Sequence, residues 1–386
     1  MRKRVLLLAV LALLLSGLAI GCAGQATPAP QPTATQAPPA AEKPAEGAQP
    51  TGFQVDRSRL VPELHIFHWS EYIDPEIYTQ FENEFGVKVI EDNFASNEDL
   101  LAKLQAGATG YDIIVPSDYM VAIMINEGML AKLDKNNIPN LKNLDPKFTG
   151  LPFDPNGDYS VPYQWGTTGI GYRTDLVDEE ITSWASIFDP AKAEKYAGKI
   201  SMLNDVREAM AAALKYKGHS LNSTDPAELE EAKQVLMQQK PWLAKYDSES
   251  YNDDLVTGDV VIAHGWSGDI FVAMEENDNI AYVIPEEGGV VWVDNLAIPV
   301  TATGDRKYTA EVFINYLLEP EIGAQITNFV WYGSPNKAAE PFIDEEILSD
   351  PAIYPPPEVM DRLEFIRDVG EATTLYDRIW TEIKSQ

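Results

Sequence analysis

Carboxylates and aromatic rings recur side by side along this chain of 386 residues, each time where an apolar run that reads as a strand comes to its end. Trp69, Ser70, Glu71 and Tyr72 follow Leu64–Phe67, and Ser117, Asp118 and Tyr119 follow Tyr111–Val115. Asp205 and Glu208 follow Lys199–Leu203; three apart in a first helical turn, they share a face. Trp266, Ser267 and Asp269 follow Val260–His264. Trp292 and Asp294, two apart on the strand Val290–Pro299, leave the same side of a sheet. Trp331 and Tyr332 stand before Gly333.

The chemistry that fits this pairing is the capture of a flexible alkyl chain bearing ammonium groups. Aromatic faces cover methylenes and add a cation–π attraction of roughly 0.5–2 kcal/mol each. Carboxylates supply charge-assisted hydrogen bonds, and a desolvated ammonium needs them, because an unpaired buried ion costs several kcal/mol. Each piece also has a purely structural explanation. Asp205 and Glu208 complement a helix macrodipole wherever they stand in a first turn, and Trp69 and Trp266 suit an ordinary core. Asp294, between Val293 and Leu296 on an apolar strand, needs a partner in either case.

The charge balance agrees with a cationic ligand. Lys and Arg total 29 against 60 Asp and Glu, a formal net charge of −31. A field of that sign disfavours nucleic acid or an anionic membrane surface as a partner. It equally describes a solvated acidic surface. A single cysteine excludes an internal disulfide framework or a cysteine zinc knuckle.

The chain opens on an address. Arg2, Lys3 and Arg4 precede the apolar run Val5–Leu15, and small residues lead to Cys22. This pattern makes 1–21 an export signal whose apolar run is too short for a first-choice membrane span. Leu18-Ala19-Ile20-Gly21-Cys22 resembles a bacterial lipobox, which predicts lipidation of Cys22, although Ala19 occupies the place where Leu is usual. From 22 to 60 the chain is rich in Pro, Ala, Thr and Gln and has no apolar period, so it reads as a disordered tether, semi-stiff and up to roughly 100 Å long.

Strand and helix then alternate. Asp74-Pro75 opens a helix with Ile77, Phe81 and Phe85 in one stripe, closed by Gly86. Val87–Ile90 and Ala281–Ile284 read as further strands, and helices are expected at 97–106, 119–127, 206–217, 226–239, 309–318 and 321–329. The alternation argues for an α/β fold of open, mainly parallel sheets, with ligands outside the carboxyl ends of the strands. Other chemistries fall short. Gly265-Trp266-Ser267-Gly268 fails as a nucleophile elbow at Asp269. Asp154, Asn156 and Asp158 begin like a calcium loop, but Trp165 takes its twelfth place. His65 and His68 lie on opposite faces of a strand, and no Walker motif is present, so no metal or cofactor is expected.

The body resembles the spermidine/putrescine-binding proteins of bacterial ABC importers. The matching stretches are Phe67-His68-Trp69-Ser70-Glu71-Tyr72, Tyr111-Asp112-Ile113-Ile114-Val115-Pro116-Ser117, Phe153-Asp154-Pro155-Asn156, Asp205-Val206-Arg207-Glu208, Gly288-Gly289-Val290-Val291-Trp292-Val293-Asp294, Ser334-Pro335-Asn336 and Asp368-Val369-Gly370. The resemblance implies a type II periplasmic-binding-protein fold, with 61–168 plus 294–335 as one lobe and 169–293 plus 336–386 as the other. It implies a cleft lined by Trp69, Glu71, Tyr72, Ser117, Tyr119, Asp205, Glu208, Trp266, Trp292, Asp294 and Tyr332, with Ser70 at one ligand end. Asp269 matches putrescine-type members. Ile366 replaces a Gln of spermidine-type members, while Asp205, Glu208 and Trp292 look closer to the spermidine type, so the pocket is mixed. The implied protein is a monomeric, lipid-anchored extracytoplasmic receptor that hands a polyamine to a membrane permease and has no enzymatic activity. The alternatives are the same fold with a sugar or metal-chelate ligand, or a secreted glycoside hydrolase, which also pairs carboxylates with aromatic platforms.

Overall fold

The computed structural model describes residues 54–385. The expected export signal, Cys22 and most of the tether lie outside the described residues. The first elements are β1 (Glu63–His68), α1 (Pro75–Phe85), β2 (Lys88–Asn93), α2 (Asn97–Gln105), β3 (Ile113–Ile114) and α3 (Asp118–Asn126). Then come β4 (Ser160–Arg173), α4 (Ala185–Phe188), α5 (Pro190–Ala193), β5 (Ile200–Met202), α6 (Val206–Tyr216), α7 (Pro226–Gln239) and β6 (Leu243–Tyr246). They are followed by α8 (Tyr251–Thr257), β7 (Ile262–Trp266), α9 (Ser267–Glu276), β8 (Ile280–Val283) and β9 (Val290–Ala297). The helices α10 (Asp305–Leu317), α11 (Pro320–Val330), α12 (Glu345–Ser349), α13 (Pro357–Met360) and α14 (Thr373–Lys384) complete the chain.

Local chemistry sets these boundaries. The Asp74 side chain accepts from the Glu76 N–H and caps α1, Pro75 fills the first turn, and Gly86 stops the helix at φ 74°. Ser96 accepts from the Asp99 N–H and caps α2. Asp205 does the same for α6, accepting from the N–H groups of Arg207 and Glu208. The one-face stripe of α1 buries Ile77 and Phe81.

The strands form one mixed sheet in the order β2-β1-β3-β9-β4-β7-β5-β6, with β8 also on β4. The expectation of mainly parallel sheets is corrected: β1·β2, β1·β3, β5·β6 and β5·β7 are parallel, whereas β3·β9, β4·β7, β4·β8 and β4·β9 are antiparallel. Three of the four antiparallel pairings involve β4, which the sequence pattern hid. All of its 14 residues are buried, so it has no polar alternation, and Pro162, Gly166, Gly169 and Gly171 interrupt it. Those glycines mark close approaches; a Cβ on Gly166 would lie 2.8 Å from the Trp292 ring. The first half of β4 pairs with β9 and the second half with β7 and β8.

Two large apolar clusters flank this pair of strands. One gathers Phe67, Phe81, Ile114, Leu296 and Phe313. The other gathers Ile170, Trp184, Ile200, Met210, Ile262 and Tyr376. Among the described residues, no helix is long and apolar enough to cross a membrane.

Replacing Gly169 by alanine places a Cβ 2.4 Å from the Val283 carbonyl oxygen on β8. Gly169→Ala is expected to destabilise the fold by about 1–3 kcal/mol, the usual cost of overpacking. Scanning calorimetry checks this; a melting temperature equal to that of the parent protein would refute it.

Candidate functional site

The strand ends meet in one cleft. Trp69, Ser70, Tyr72, Ser117, Tyr119, Asp205, Glu208, Trp266, Asp269, Trp292, Asp294 and Tyr332 all line it. Glu71 does not: its side chain is exposed, its backbone takes φ 53°, and its Oε2 accepts from Asn252 Nδ2 at 3.2 Å. The cleft adds Phe94, Asn97, Asp118, Ser248 and Ile366 to the lining. Asp118 and Asn97 had a visible signal, because each begins a helix beside a strand end. Ile366 lies on a distant segment whose approach no local pattern announces.

Asp294 is the most tightly held acid. It is 4% exposed on β9, and it accepts from the Ser117 hydroxyl at 2.6 Å on Oδ1 and from the Tyr72 hydroxyl at 2.6 Å on Oδ2. Asp118 takes the Tyr119 N–H at 2.6 Å and the Val293 N–H at 3.2 Å. Across the cleft, Glu208 Oε1 accepts from Thr168 Oγ1 at 3.0 Å and Trp266 Nε1 at 3.3 Å. Its Oε2 is buried with no hydrogen-bond partner. Asp269, in the first turn of α9 rather than in a loop, accepts from the hydroxyls of Tyr251 at 2.8 Å and Tyr332 at 2.7 Å. Of the strand-end acids, Asp118, Asp205, Glu208, Asp269 and Asp294 are gathered here and Glu71 is not.

The rings stand edge to face around these acids. Trp69 meets Trp266 at 5.4 Å between centroids, Tyr72 meets Tyr332 at 5.5 Å, and Trp292 meets Tyr332 at 5.1 Å. Trp69 donates its indole N–H to the Val115 carbonyl at 3.0 Å, so the ring is anchored.

Among the described residues, no lysine or arginine lines the cleft. Burial therefore pushes the carboxyl groups up: Asp269 to about 6, Asp294 to about 7, and Asp118 and Glu208 to about 8. For Glu208 the neighbouring Asp205 adds to the rise, and burial also raises Asp205 itself. Glu98, which accepts from the Tyr119 hydroxyl at 3.0 Å, is raised to about 8 by burial and by Asp205. Arg207 opposes these shifts at Asp118, Asp205 and Glu98, but its guanidinium is turned to the Arg367 carbonyl and to Asn222.

A carboxyl raised in the folded state makes the protein lose stability as pH climbs past its ordinary range and through its folded value. Glu208→Gln removes one such group. In the ligand-free protein this variant is expected to melt at a higher temperature than its parent above roughly pH 8, with the gap closing toward roughly pH 4. Thermal scans across that range check the sign; a gap that widens on acidification would contradict it.

The sequence profile described as "Bacterial extracellular solute-binding protein" matches residues 76–355. The spermidine/putrescine-binding periplasmic protein of Escherichia coli (strain K12) is 38% identical over 343 residues, covering 88% of this chain and 97% of that protein. The putrescine-binding periplasmic protein SpuD of Pseudomonas aeruginosa is 39% identical over 338 residues, covering 83% and 92%. Among solved structures, the TpPotD lipoprotein of Treponema pallidum superposes with a TM-score of 0.72 at 31% identity, covering 84% of this chain and 100% of that one. The spermidine/putrescine substrate-binding protein PotD of Streptococcus pneumoniae gives 0.69 at 35% identity, covering 84% and 99%. The fold is thus the type II periplasmic-binding-protein fold of two α/β lobes, and the chain belongs to the bacterial extracellular solute-binding protein family.

Proposed function

We propose that this protein captures a polyamine, spermidine and/or putrescine, in the cleft and delivers it to an ABC importer. The observation that carries the proposal is the convergence of Asp118, Asp205, Glu208, Asp269 and Asp294 on one aromatic cleft that, among the described residues, no Lys or Arg lines. Ammonium groups are the partners that such buried carboxylates lack. Trp69, Trp266, Trp292, Tyr72 and Tyr332 cover the methylenes between them. The names carried by the Escherichia coli and Pseudomonas aeruginosa relatives support this chemistry over a sugar, a metal chelate or glycoside hydrolysis.

In this proposal 61–168 plus 294–335 form one lobe and 169–293 plus 336–386 the other, and the lobes close by a hinge on the strands β4 and β9 that pair between them. Trp69, Ser70, Tyr72, Ser117, Tyr119, Asp205, Glu208, Trp266, Asp269, Trp292, Asp294 and Tyr332 are the binding residues, and Glu71, which does not line the cleft, is left out of the set. The protein binds and releases without turnover. It works as a monomer outside the cytoplasm, tethered by a lipid on Cys22, and its protein partners are the permease subunits.

Calorimetric titration with putrescine, spermidine and spermine is expected to give saturable binding for at least one of them; no binding in all would discard the proposal. Asp294→Asn is expected to weaken binding more than tenfold, about 1.4 kcal/mol, and an unchanged affinity would remove Asp294 from the site. Cys22→Ser is expected to move the protein from the membrane fraction to the soluble fraction of its host.

A further inference from the structure

Asn97 opens α2 just after the residue that caps it. The cap is already supplied by Ser96, whose Oγ accepts from the Asp99 N–H at 3.1 Å, so the Asn97 side chain is free for other work. It is 3% exposed and lies against Ser117. The Ser117 backbone N–H donates to Asn97 Oδ1 at 3.0 Å. That contact fixes which way the amide faces, because only the oxygen accepts. Nδ2 then points at Ser117 Oγ, 3.0 Å away, and donates into it. With one lone pair of Oγ taken by this N–H, the hydroxyl hydrogen is left for Asp294 Oδ1 at 2.6 Å. Tyr72 donates to the other oxygen of the same carboxylate.

We infer that Asn97 sets the direction of a hydrogen-bond relay, Asn97 to Ser117 to Asp294, that holds Asp294 as an acceptor-only anion facing a ligand ammonium; the last step rests on the polyamine proposal above. Asn97 is a positioning residue acting through Ser117. Without the amide, the Ser117 hydroxyl is free to turn and accept, and a protonated Asp294 becomes its donor. The titratable groups around Asp294 are Tyr72 beyond β1, Tyr163 on β4, Asp118 on α3 and Glu208 on α6. None of these is a cation, so the two hydroxyl donors are what favours the ionised form against burial.

The test uses the full chain without ligand. The Asp294 carboxyl is titrated by carbon NMR with labelled aspartate, assigned by its loss in Asp294→Asn. In Asn97→Ala its midpoint is expected to rise by about one pH unit, the scale of one hydrogen bond to a charged group. In a Ser117→Ala background the same substitution is expected to leave the midpoint where Ser117→Ala alone puts it. Asn97→Asp is a second variant that keeps the acceptor for the Ser117 N–H and loses the donor; its shift must likewise shrink when Ser117 is alanine. No shift in either variant, or equal shifts with and without the Ser117 hydroxyl, would overturn the relay. Spermidine calorimetry on the same proteins separates the two proposals. A wild type that binds no polyamine while the NMR cycle behaves as described defeats the ligand assignment and leaves the relay standing. Where binding occurs, Asn97→Ala is expected to lose about fivefold in affinity near pH 7 and to approach wild type near pH 9, as a one-unit shift requires.

Discussion

The site answers to one constraint: several carboxyl groups are taken out of water in the same small volume, and among the described residues no lysine or arginine lines it, Arg207 acting on them only from outside the lining. Hydroxyl, indole and backbone N–H donors satisfy part of the demand. Asp294 holds two hydroxyls and Asp118 two backbone N–H groups, while Glu208 keeps an oxygen with no donor. Such donors favour the ionised form without neutralising it, so burial still dominates the protonation of each acid. The cleft is therefore an electrostatically unfinished interior.

The scaffold serves that constraint by bringing together segments far apart in the chain. Tyr72 and Asp294 are 222 positions apart and yet share a hydrogen bond. The acids arrive from helix starts, where the macrodipole helps hold an anion, and from the central strand β9. The rings arrive from strand ends and pack edge to face, which fixes their planes before any ligand enters. Preorganisation of this kind limits the entropy lost on capture.

Much of this was legible in the amino-acid order because the relevant signals are local. Asp74-Pro75, the stripe Ile77, Phe81 and Phe85, and Gly86 define α1 without help from the rest of the fold. The aromatic–acid pairs at strand ends were visible for the same reason, and so was Asp294, an acid where an apolar strand has no use for one. What escaped was set by tertiary contact. β4 is buried on both faces and carries glycines because Trp292 and Tyr282 press against it, so it shows neither alternation nor a continuous apolar run. Glu71 bears the right residue type beside Trp69, but its exposed side chain accepts from Asn252 and does not line the cleft. Asn97 looked like one more residue at a helix start, and its meaning appears only once Ser117 is placed beside it.

The β-bulge in β4 puts Gln164, not Tyr163, opposite Asp294 on β9, while Pro162 stands opposite Asn295. A slip of β9 by one residue at Asp294 would turn its side chain away from the cleft and an apolar neighbour into it. The extra residue of the bulge is thus what sets the register beside Asp294. Exchanging side chains on β4 and β9 therefore alters the cleft without disturbing the register that aims Asp294.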